Sequence, residues 1–412
     1  MLRNIVRYSK ILRNFAISKN SIMNRLKLFV LSSAALLFLA FGCKKEESAP
    51  ESNPAPLEPY CEQCIFRPGD YGSTNWRIPA VLVLQDGSIL IASDKRKYNQ
   101  TDLPEDIDIV VRRSTDLGVT WTEPHTIAQG TGYKHGFGDC TLVQCEDGTV
   151  VAGYVGGNGL WASTESDPIR SYIQTSNDGG LTWNEPVDIT FQLWGSQSQN
   201  STQRLYKASF FASGNGVRLT RGEHKGRIIF VAAMVKKANN QLDNFAVYSD
   251  DNGATWTVSK RAYSSGDESK VIELNDGRVL MSVRQNGARG YTISSDGGET
   301  WGTPGRWNEM TTNACNGDML RVFATDKGDA ENLILHSIPN SMNREKVSLY
   351  MSRDEGQSWQ FAKELCPEGS CYSSLSMLPD GRIVCYVERD TDGDGNYELW
   401  FLRFTLGWLM GK

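Results

Sequence analysis

Several kinds of functional site have no basis in this sequence. The 412 residues include only four histidines, and their positions, 125, 135, 224 and 336, do not have the spacing of metal ligands. The chain contains no Gly-x-Ser-x-Gly motif, phosphate-binding loop or dinucleotide-binding fingerprint. We therefore predict neither a metal nor an organic cofactor. No long segment has helical periodicity, which argues against a helical bundle.

Basic residues are scarce in most of the chain. The net charge of −5 hides an asymmetry, because seven of the 43 Lys and Arg residues, and none of the 48 acids, lie within residues 1–42. From residue 43 onward, 36 bases face 48 acids, a net charge of −12. Nucleic-acid binding needs a basic face, so nucleic acid is not expected as a partner. An anionic ligand would need a local cationic pocket.

The longest apolar run is too short for a membrane span. It has 15 residues, ends at Gly42 and follows a basic flank, whereas a spanning helix needs about 20. This pattern predicts a cleaved signal peptide over 1–42. Gly42-Cys43 resembles a bacterial lipobox, so we expect lipidation of Cys43 and a Ser/Pro/Glu-rich tether over 43–60. The expected product is an exported outer-membrane lipoprotein, facing the periplasm or the cell surface, that contacts the membrane only through its lipid. Plain secretion is the alternative.

The other eight cysteines do not define a metal site. Cys61-x-x-Cys64 lacks the second half that a four-ligand zinc site needs. Export permits disulfides, and buried free thiols are an equal alternative. The local candidates for a bridge are Cys61–Cys64, Cys140–Cys145 and Cys366–Cys371.

An eight-residue pattern, Ser-x-Asp-x-Gly-x-(Thr/Ser)-Trp, occurs five times. Asp and Gly favour a tight turn, and Trp supplies a packing anchor at the start of the returning strand. We interpret each copy, called a box below, as a structural hairpin turn at the periphery. The boxes cover residues 114–121, 176–183, 249–256, 294–301 and 352–359.

A second kind of turn, Asp-Gly or Lys-Gly, alternates with the boxes. Each of the first five precedes one box, and the sixth is followed by a strand-like run at 397–405. Six four-stranded units predict an all-β fold, a six-bladed β-propeller over 61–412. The unequal spacing argues against a solenoid. The six turns contain Gly87, Gly148, Gly226, Gly277, Gly328 and Gly381.

Over about residues 70–408 the chain resembles the bacterial exo-α-sialidase family, through its five boxes and the motif Arg77-Ile78-Pro79. The resemblance implies three arginines that bind the carboxylate of sialic acid. They match Arg77, Arg284 in the segment Met-Ser-Val-Arg, and Arg344 ahead of the last box. A planar guanidinium suits a carboxylate because it binds both oxygens and keeps its charge. Glu388 matches the glutamate that steadies the first arginine.

The resemblance also implies the catalytic groups. Asp102 is expected to be the acid and then the base, and Tyr372 the nucleophile, with Glu268 as the base that activates it. A tyrosine suits this role because a carboxylate nucleophile would be repelled by the carboxylate on the substrate's anomeric carbon. Arg96 and Asp139 match positions near the ring substituents of the sugar. The competing acids are Glu105, Asp106 and Asp108 for the first role, and Asp267 and Glu273 for the last.

The implied function is a retaining exo-α-sialidase that acts on sialylated glycoproteins, glycolipids and oligosaccharides. A non-catalytic lectin or adhesin is the alternative from another class, and it would need neither Asp102 nor the Tyr372–Glu268 pair. Transfer to an acceptor sugar, an intramolecular reaction with an anhydro product, and a related nonulosonic acid such as Kdn are nearer alternatives.

One acidic segment stands apart. Residues 390–396 resemble the opening of a calcium loop, but the twelfth position is Phe401 instead of Glu. We favour a polar hairpin turn.

Overall fold

The computed structural model describes residues 58–412, which form an all-β structure. The predicted signal peptide over 1–42, the lipidation site Cys43 and the tether up to residue 57 lie outside the described residues. Within 58–412, no helix combines the length and the apolar character needed to cross a bilayer. The helices there are short: α1 (Thr190–Leu193), α2 (Leu406–Leu409) and the 3-10 turns Asp70–Gly72, Leu160–Ala162, Gln203–Leu205 and Thr325–Lys327.

Strand β1 (Tyr60–Phe66) is followed by two sheets of antiparallel strands in chain order. The first sheet contains β2 (Asn75–Val83), β3 (Ile89–Arg96), β4 (Ile107–Ser114) and β5 (His125–Ala128). The second contains β6 (Phe137–Gln144), β7 (Val150–Gly157), β8 (Ile169–Ser176) and β9 (Val187–Asp188).

The third sheet follows the same plan with two additional short strands, and the fourth follows it without additions. The third contains β10 (Tyr206–Phe211), β12 (Val217–Arg218), β13 (Ile228–Lys236), β14 (Leu242–Ser249), β15 (Thr257–Val258) and β16 (Tyr263–Ser264). The short β11 (Gly214–Asn215) leaves this sheet and pairs in parallel with β6. The fourth contains β17 (Ser269–Glu273), β18 (Val279–Val283), β19 (Asn286–Ser294) and β20 (Gly305–Asn313).

The fifth sheet has seven strands in the order β1-β26-β25-β24-β23-β22-β21. It recruits β1 from the start of the described chain onto β26 near its end. Its central strand is 18 residues long and pairs with β23 through its first part and with β25 through its second. The strands are β21 (Asp318–Phe323), β22 (Leu333–Pro339), β23 (Glu345–Ser352), β24 (Gln360–Met377), β25 (Ile383–Asp390) and β26 (Glu398–Phe404).

Hydrophobic clusters join the sheets into a closed ring. One cluster lies between each successive pair from the first sheet to the fifth. Another fills the fifth sheet itself, and a further one joins the fifth sheet back to the first. Burial of apolar surface at these contacts is the main driving force for folding. The result is the propeller-like arrangement that the repeated turns predict, in which the first strands of the sheets lie near the centre.

The boxes form the turns between the third and fourth strands of their sheets. In the first, Asp116 Oδ1 accepts hydrogen bonds from the Ser114 hydroxyl and the Thr120 amide, both at 2.8 Å. The amide of Gly118 donates to the Ser114 hydroxyl at 2.9 Å. The other boxes repeat these contacts. Hydrogen bonds from Thr182 and other donors, despite slight burial, lower the pKa of Asp178 to about 2.

Each box glycine also packs on the preceding sheet. Gly356 has φ +79, and a Cβ placed there would lie 2.6 Å from Leu280 on β18. Gly180 similarly approaches Leu90 on β3, at 2.8 Å. The glycine is therefore required both by the left-handed backbone and by the close contact between sheets.

The acidic segment 390–396 forms the turn between β25 and β26. Backbone amides already occupy its carboxylates: Asn396 donates to Asp394 at 2.7 Å and Gly395 to Asp390 at 3.2 Å. Carboxylate oxygens of Asp390, Asp392 and Asp394 lie within 4.8 Å of one another. These contacts are typical of a polar turn.

Candidate active site

Three of the predicted site residues lie on β-bulges in strands of three different sheets. Arg77 is on β2, Asp139 on β6 and Tyr372 on β24. A bulge bends its strand and redirects a side chain, and such irregularities concentrate near active sites. The pairing register shifts at Arg77–Ala80, Gly138–Thr141 and Ser370–Ser373.

The Arg-Ile-Pro motif is the bulge of β2. Ile78 has φ 62, a left-handed conformation that is unfavourable for a β-branched residue. Its amide donates a 2.8 Å hydrogen bond to Glu388 Oε1. The same carboxylate receives Arg77 Nε and Nη2, each at 2.9 Å. One buried glutamate on β25 thus secures both the strained backbone and the arginine that it directs into the site.

Glu388 is fully buried, and its charge is maintained by its partners. Burial acts to raise its pKa, but the Arg77 guanidinium and the amides of Ile78 and Tyr372 lower the pKa of Glu388 below the ordinary value. Arg77 also lies 5.1 Å from the ring centre of Tyr397. Sequence reasoning did not single out Tyr397, which follows the acidic turn and has no motif of its own.

Tyr372, Glu268 and Arg284 form a hydrogen-bonded group. The Tyr372 hydroxyl donates to Glu268 Oε2 at 2.6 Å, and Arg284 Nη1 donates to the Tyr372 oxygen at 2.9 Å. Arg284 Nη1 also pairs with Glu268, and Asn316 Nδ2 donates to Glu268 Oε1 at 3.3 Å. Burial raises the pKa of both Tyr372 and Glu268. The charge of Arg284 opposes burial at both groups, and in the hydrogen bond that joins them the Tyr372 phenol is the donor and Glu268 Oε2 the acceptor.

Arg344 completes a set of three guanidiniums around Tyr372. The Cζ atoms of Arg77 and Arg344 lie 5.3 and 5.7 Å from the centre of the tyrosine ring. Arg77 pairs with Glu388, and Arg284 with Glu268 and Asp267. Among residues 58–412, no carboxylate lies within the 4.0 Å ion-pair distance of Arg344. Arg344 is therefore a guanidinium without an ion-pair partner in this part of the chain, and it lines the cavity where an anionic ligand would bind.

Asp102 lies at the opening of the site, with 78% of its side chain exposed. Arg96 Nη2 binds Asp102 Oδ1 at 2.6 Å and the buried Asp94 at 3.3 Å. Desolvation opposes ionisation, but the charges of Arg96 and Arg77 prevail and lower the pKa of Asp102. Arg96 is itself buried and does not line the cavity, so it would act on a ligand only by holding Asp102.

Two further acids adjoin this pair. The Asp139 amide donates to Asp94 Oδ1 at 3.2 Å, and Asp139 has φ 57. Burial raises the pKa of Asp94 to about 7, and burial together with the charge of Asp94 raises the pKa of Asp139 well above the usual range. Burial and the neighbouring charge of Asp94 thus both favour the neutral form of Asp139.

One cavity of about 480 Å³ collects these side chains. Arg77, Arg284 and Arg344 line it together with Tyr372 and a set of acids, namely Asp102, Asp139, Asp267 and Glu268. Its other wall is apolar, a feature that the sequence did not reveal because the residues come from five separate segments. That wall consists of Leu103, Leu160, Trp161, Ile169, Phe210 and Leu242.

The structure distinguishes the acids that competed for the catalytic roles by their positions and their partners. Asp106 and Asp108 both bind Lys97 at 2.8 Å, and neither they nor Glu105 line the cavity. Glu273 is occupied by Thr220 and Arg221. Asp267 does line the cavity, but it faces Arg284 at 3.4 Å, whereas Glu268 contacts the tyrosine hydroxyl.

The local cysteine pairs do not form. All eight cysteines in residues 58–412 are free thiols. The structure instead brings Cys371 to Cys315, with 3.3 Å between their sulfurs.

Comparison with known proteins finds a matching family model and similar chains. A family model described as a BNR repeat-like domain matches residues 98–385. A sialidase of Micromonospora viridifaciens is 31% identical over 379 residues, which is 87% of this chain and 56% of that protein. A sialidase of Clostridium perfringens is 31% identical over 362 residues, covering 80% of this chain and 88% of that one.

Solved structures show the same fold. The Hadza microbial sialidase Hz136 superposes with a TM-score of 0.71 at 25% identity, covering 84% of this chain and 69% of its own. The leech intramolecular trans-sialidase superposes with a TM-score of 0.72 at 18% identity, covering 85% and 71%. Fold and matches together define a β-propeller glycoside hydrolase with BNR repeats. The chain belongs to the sialidase family.

Proposed function

We propose that this protein is a retaining exo-α-sialidase that hydrolyses terminal sialic acid from glycoproteins, glycolipids and oligosaccharides through a tyrosyl-enzyme intermediate. The observation that carries the proposal is the 2.6 Å hydrogen bond from Tyr372 to Glu268 inside a cavity lined by three arginines. A phenol paired with a buried carboxylate can become a nucleophile without approaching the substrate as an anion.

The three guanidiniums would hold the carboxylate of the substrate. Arg344 contributes a charge with no carboxylate partner in the described chain, while Glu388 and Glu268 keep the other two in place. Charge-assisted hydrogen bonds to guanidinium are about twice as strong as neutral ones and fix the orientation of the bound group. They place the anomeric carbon, which carries this carboxylate, against the Tyr372 oxygen.

In the first step, the Tyr372 oxygen attacks the anomeric carbon while Glu268 accepts the phenolic proton. Asp102 gives its proton to the departing glycosidic oxygen, which leaves as an alcohol. In the second step, Asp102 takes a proton from water, and the resulting hydroxide displaces Tyr372, which recovers its proton from Glu268. Two displacements at one carbon retain its configuration.

Substrate binding would itself prepare Asp102 as an acid. The charges of Arg77 and Arg344 contribute to lowering the pKa of Asp102 in the free protein. A bound carboxylate compensates those charges, so the pKa of Asp102 rises when the site is filled. The apolar wall, which includes Ile169 and Phe210, suits an apolar substituent such as the acetamido methyl group.

Hydrolysis of 3′-sialyllactose tests the proposal. Wild-type protein is expected to release lactose and free sialic acid, and Tyr372→Phe to lose about 10³-fold or more of kcat/KM. Tyr386→Phe is the matched control, since Tyr386 is another buried tyrosine whose hydroxyl only meets Ser93 at 2.8 Å. Binding without turnover would favour a lectin, whereas an anhydro sugar or a sialylated acceptor as the main product would replace hydrolysis by transfer.

The number of blades and the membrane anchor belong to the same proposal. We infer that β24 joins two four-stranded blades, so that the five sheets make six blades; its separate pairing with β23 and β25 supports this.

We propose an exported lipoprotein acylated at Cys43. Metabolic labelling with a fatty acid is expected to mark the wild-type chain but not Cys43→Ala, and equal labelling of both would refute the anchor.

A further inference from the structure

Two buried thiols lie directly behind the catalytic cavity. Cys315 Sγ and Cys371 Sγ are 3.3 Å apart, and both side chains are fully buried. Cys371 is on the bulge of β24, and Cys315 is in the segment between β20 and β21. Among the eight cysteines of residues 58–412, this pair alone forms a hydrogen bond between two sulfurs.

Each cysteine directly precedes a residue that binds Glu268. Tyr372 follows Cys371 and donates to Glu268 Oε2 at 2.6 Å. Asn316 follows Cys315 and donates to Glu268 Oε1 at 3.3 Å. Two chain segments therefore hold the two oxygens of the Glu268 carboxylate, and the two sulfurs lie where these segments come together.

The surroundings favour reaction at one of the two sulfurs. Arg77 Nη2 lies 3.9 Å from Cys371 Sγ. Burial acts to raise the pKa of the Cys315 thiol, but the hydrogen bond from Cys371 and the charges of Arg344 and Arg284 outweigh it and lower that pKa. The thiolate is the form of cysteine that attacks a disulfide.

We propose that Cys315 and Cys371 are a modification site, at which they form an intramolecular disulfide on exposure to a low-molecular-weight disulfide oxidant. Because both thiols are buried, the oxidant reaches them when the segment between β20 and β21 opens locally, and the Cys315 thiolate then attacks one sulfur of the oxidant and expels one thiol. Cys371 then loses its proton and attacks the mixed disulfide, expelling the second. Two S–H bonds are lost and one S–S bond is formed, while two electrons and two protons convert the oxidant into two thiols. The sulfurs need only close from contact to about 2 Å.

The bond would fasten the strand that carries Tyr372 to the segment that carries Asn316. It would close a loop between positions 56 residues apart, and a crosslink of that kind restricts the unfolded chain. Oxidation is therefore expected to raise the melting temperature by several degrees.

Mass spectrometry of the full chain tests the assignment. One sample is treated with dithiothreitol and a second with oxidised glutathione, and free thiols are alkylated after denaturation. The oxidised sample is expected to yield a peptide linking Cys315 with Cys371, two hydrogens lighter than the separate thiol peptides, while Cys140 and Cys145 are alkylated in both. Cys371→Ser should abolish the linked peptide, and the control Cys385→Ser, another fully buried cysteine, should retain it.

Full alkylation of Cys315 and Cys371 in the oxidised sample, or linkage of either to another cysteine, would overturn the proposal. The oxidised wild type is expected to melt at a higher temperature than the reduced one, and Cys371→Ser to show no such difference. Both readouts need no glycosidase activity, so they stand even if the proposed function fails.

Discussion

The hydroxyl of Tyr372 on β24 and the carboxylate of Glu268, the residue that precedes β17, form a 2.6 Å hydrogen bond. Arg284 touches both groups, so the phenol, its base and a cation are assembled before any ligand arrives. Such preorganisation lowers the cost of reaching a charged transition state. The predictions below follow from this arrangement.

Asp102→Asn should show a dependence on the leaving group. Without an acid, loss of a sugar alcohol is slow, and we expect kcat/KM for 3′-sialyllactose to fall by about 10²–10⁴. An aryl sialoside with an acidic phenol needs little protonation and should lose much less. Kinetics on both substrates measure the difference, and equal losses would contradict the role of Asp102 as the acid.

Arg344→Gln should raise KM by roughly 10–100-fold, the value of a lost charge-assisted contact of about 1.5–3 kcal/mol. Stability should change little, because Arg344 has no carboxylate partner within the described chain. The control is Arg321→Gln, which breaks a two-pronged pair with Glu355 at 2.6 and 2.7 Å. That variant should lose stability and keep its KM. Steady-state kinetics and thermal melts separate the two, and an unchanged KM in Arg344→Gln would contradict carboxylate binding.

The pH profiles of kcat and kcat/KM should differ. Asp102 must hold its proton to act as the acid, and its pKa is lowered in the free protein by Arg96 and Arg77, against the effect of burial. Activity is therefore lost as pH rises, and kcat/KM should be greatest at acidic pH. Because a bound carboxylate compensates Arg77 and Arg344, the alkaline limb of kcat should lie at higher pH than that of kcat/KM. Coincident limbs would count against this coupling.

Gly356→Ala should destabilise the fold without altering the site. A Cβ there meets Leu280 at 2.6 Å in a left-handed backbone, and we expect a loss of about 1–3 kcal/mol. Gly381→Ala is the control, since it has a similar φ of +84 with nothing within 4 Å of the new Cβ. Denaturant unfolding gives the free energy of unfolding of both variants. The loss in Gly356→Ala reports backbone strain together with the clash on Leu280, and the loss in Gly381→Ala reports backbone strain alone. Equal losses would refute the contact between sheets.

Local patterns were readable from the residues themselves, whereas long-range contacts, such as that between Tyr372 and Glu268, were predicted only through the family resemblance. The Ser-x-Asp-x-Gly box specifies its own hydrogen bonds within eight residues, as Ser114, Asp116 and Thr120 show. The Arg-Ile-Pro motif likewise identified Arg77, although its bulge and the left-handed Ile78 carry no sequence mark.

The unpredicted contacts join residues far apart in the chain. Tyr397 reaches Arg77, and Cys315 reaches Cys371, only because the ring of sheets closes. Sequence distance made Cys366 a candidate partner for Cys371, with free thiols as the equal alternative, whereas β24 pairs Cys366 with β23 and places Cys371 in the bulge opposite β25. The apolar wall of the cavity was likewise not predicted, because its residues come from separate segments of the chain.

The central claim is that Tyr372 becomes covalently bound to the sugar. Incubation with 2,3-difluorosialic acid, whose fluorine at the 3-position slows breakdown of the intermediate, should stop turnover. Peptide mass spectrometry is then expected to find the fluorinated sugar on Tyr372, and no adduct on Tyr372→Phe. An adduct on Glu268 or Asp102, or steady release of sialic acid from 3′-sialyllactose with Tyr372 left unmodified, would contradict the account.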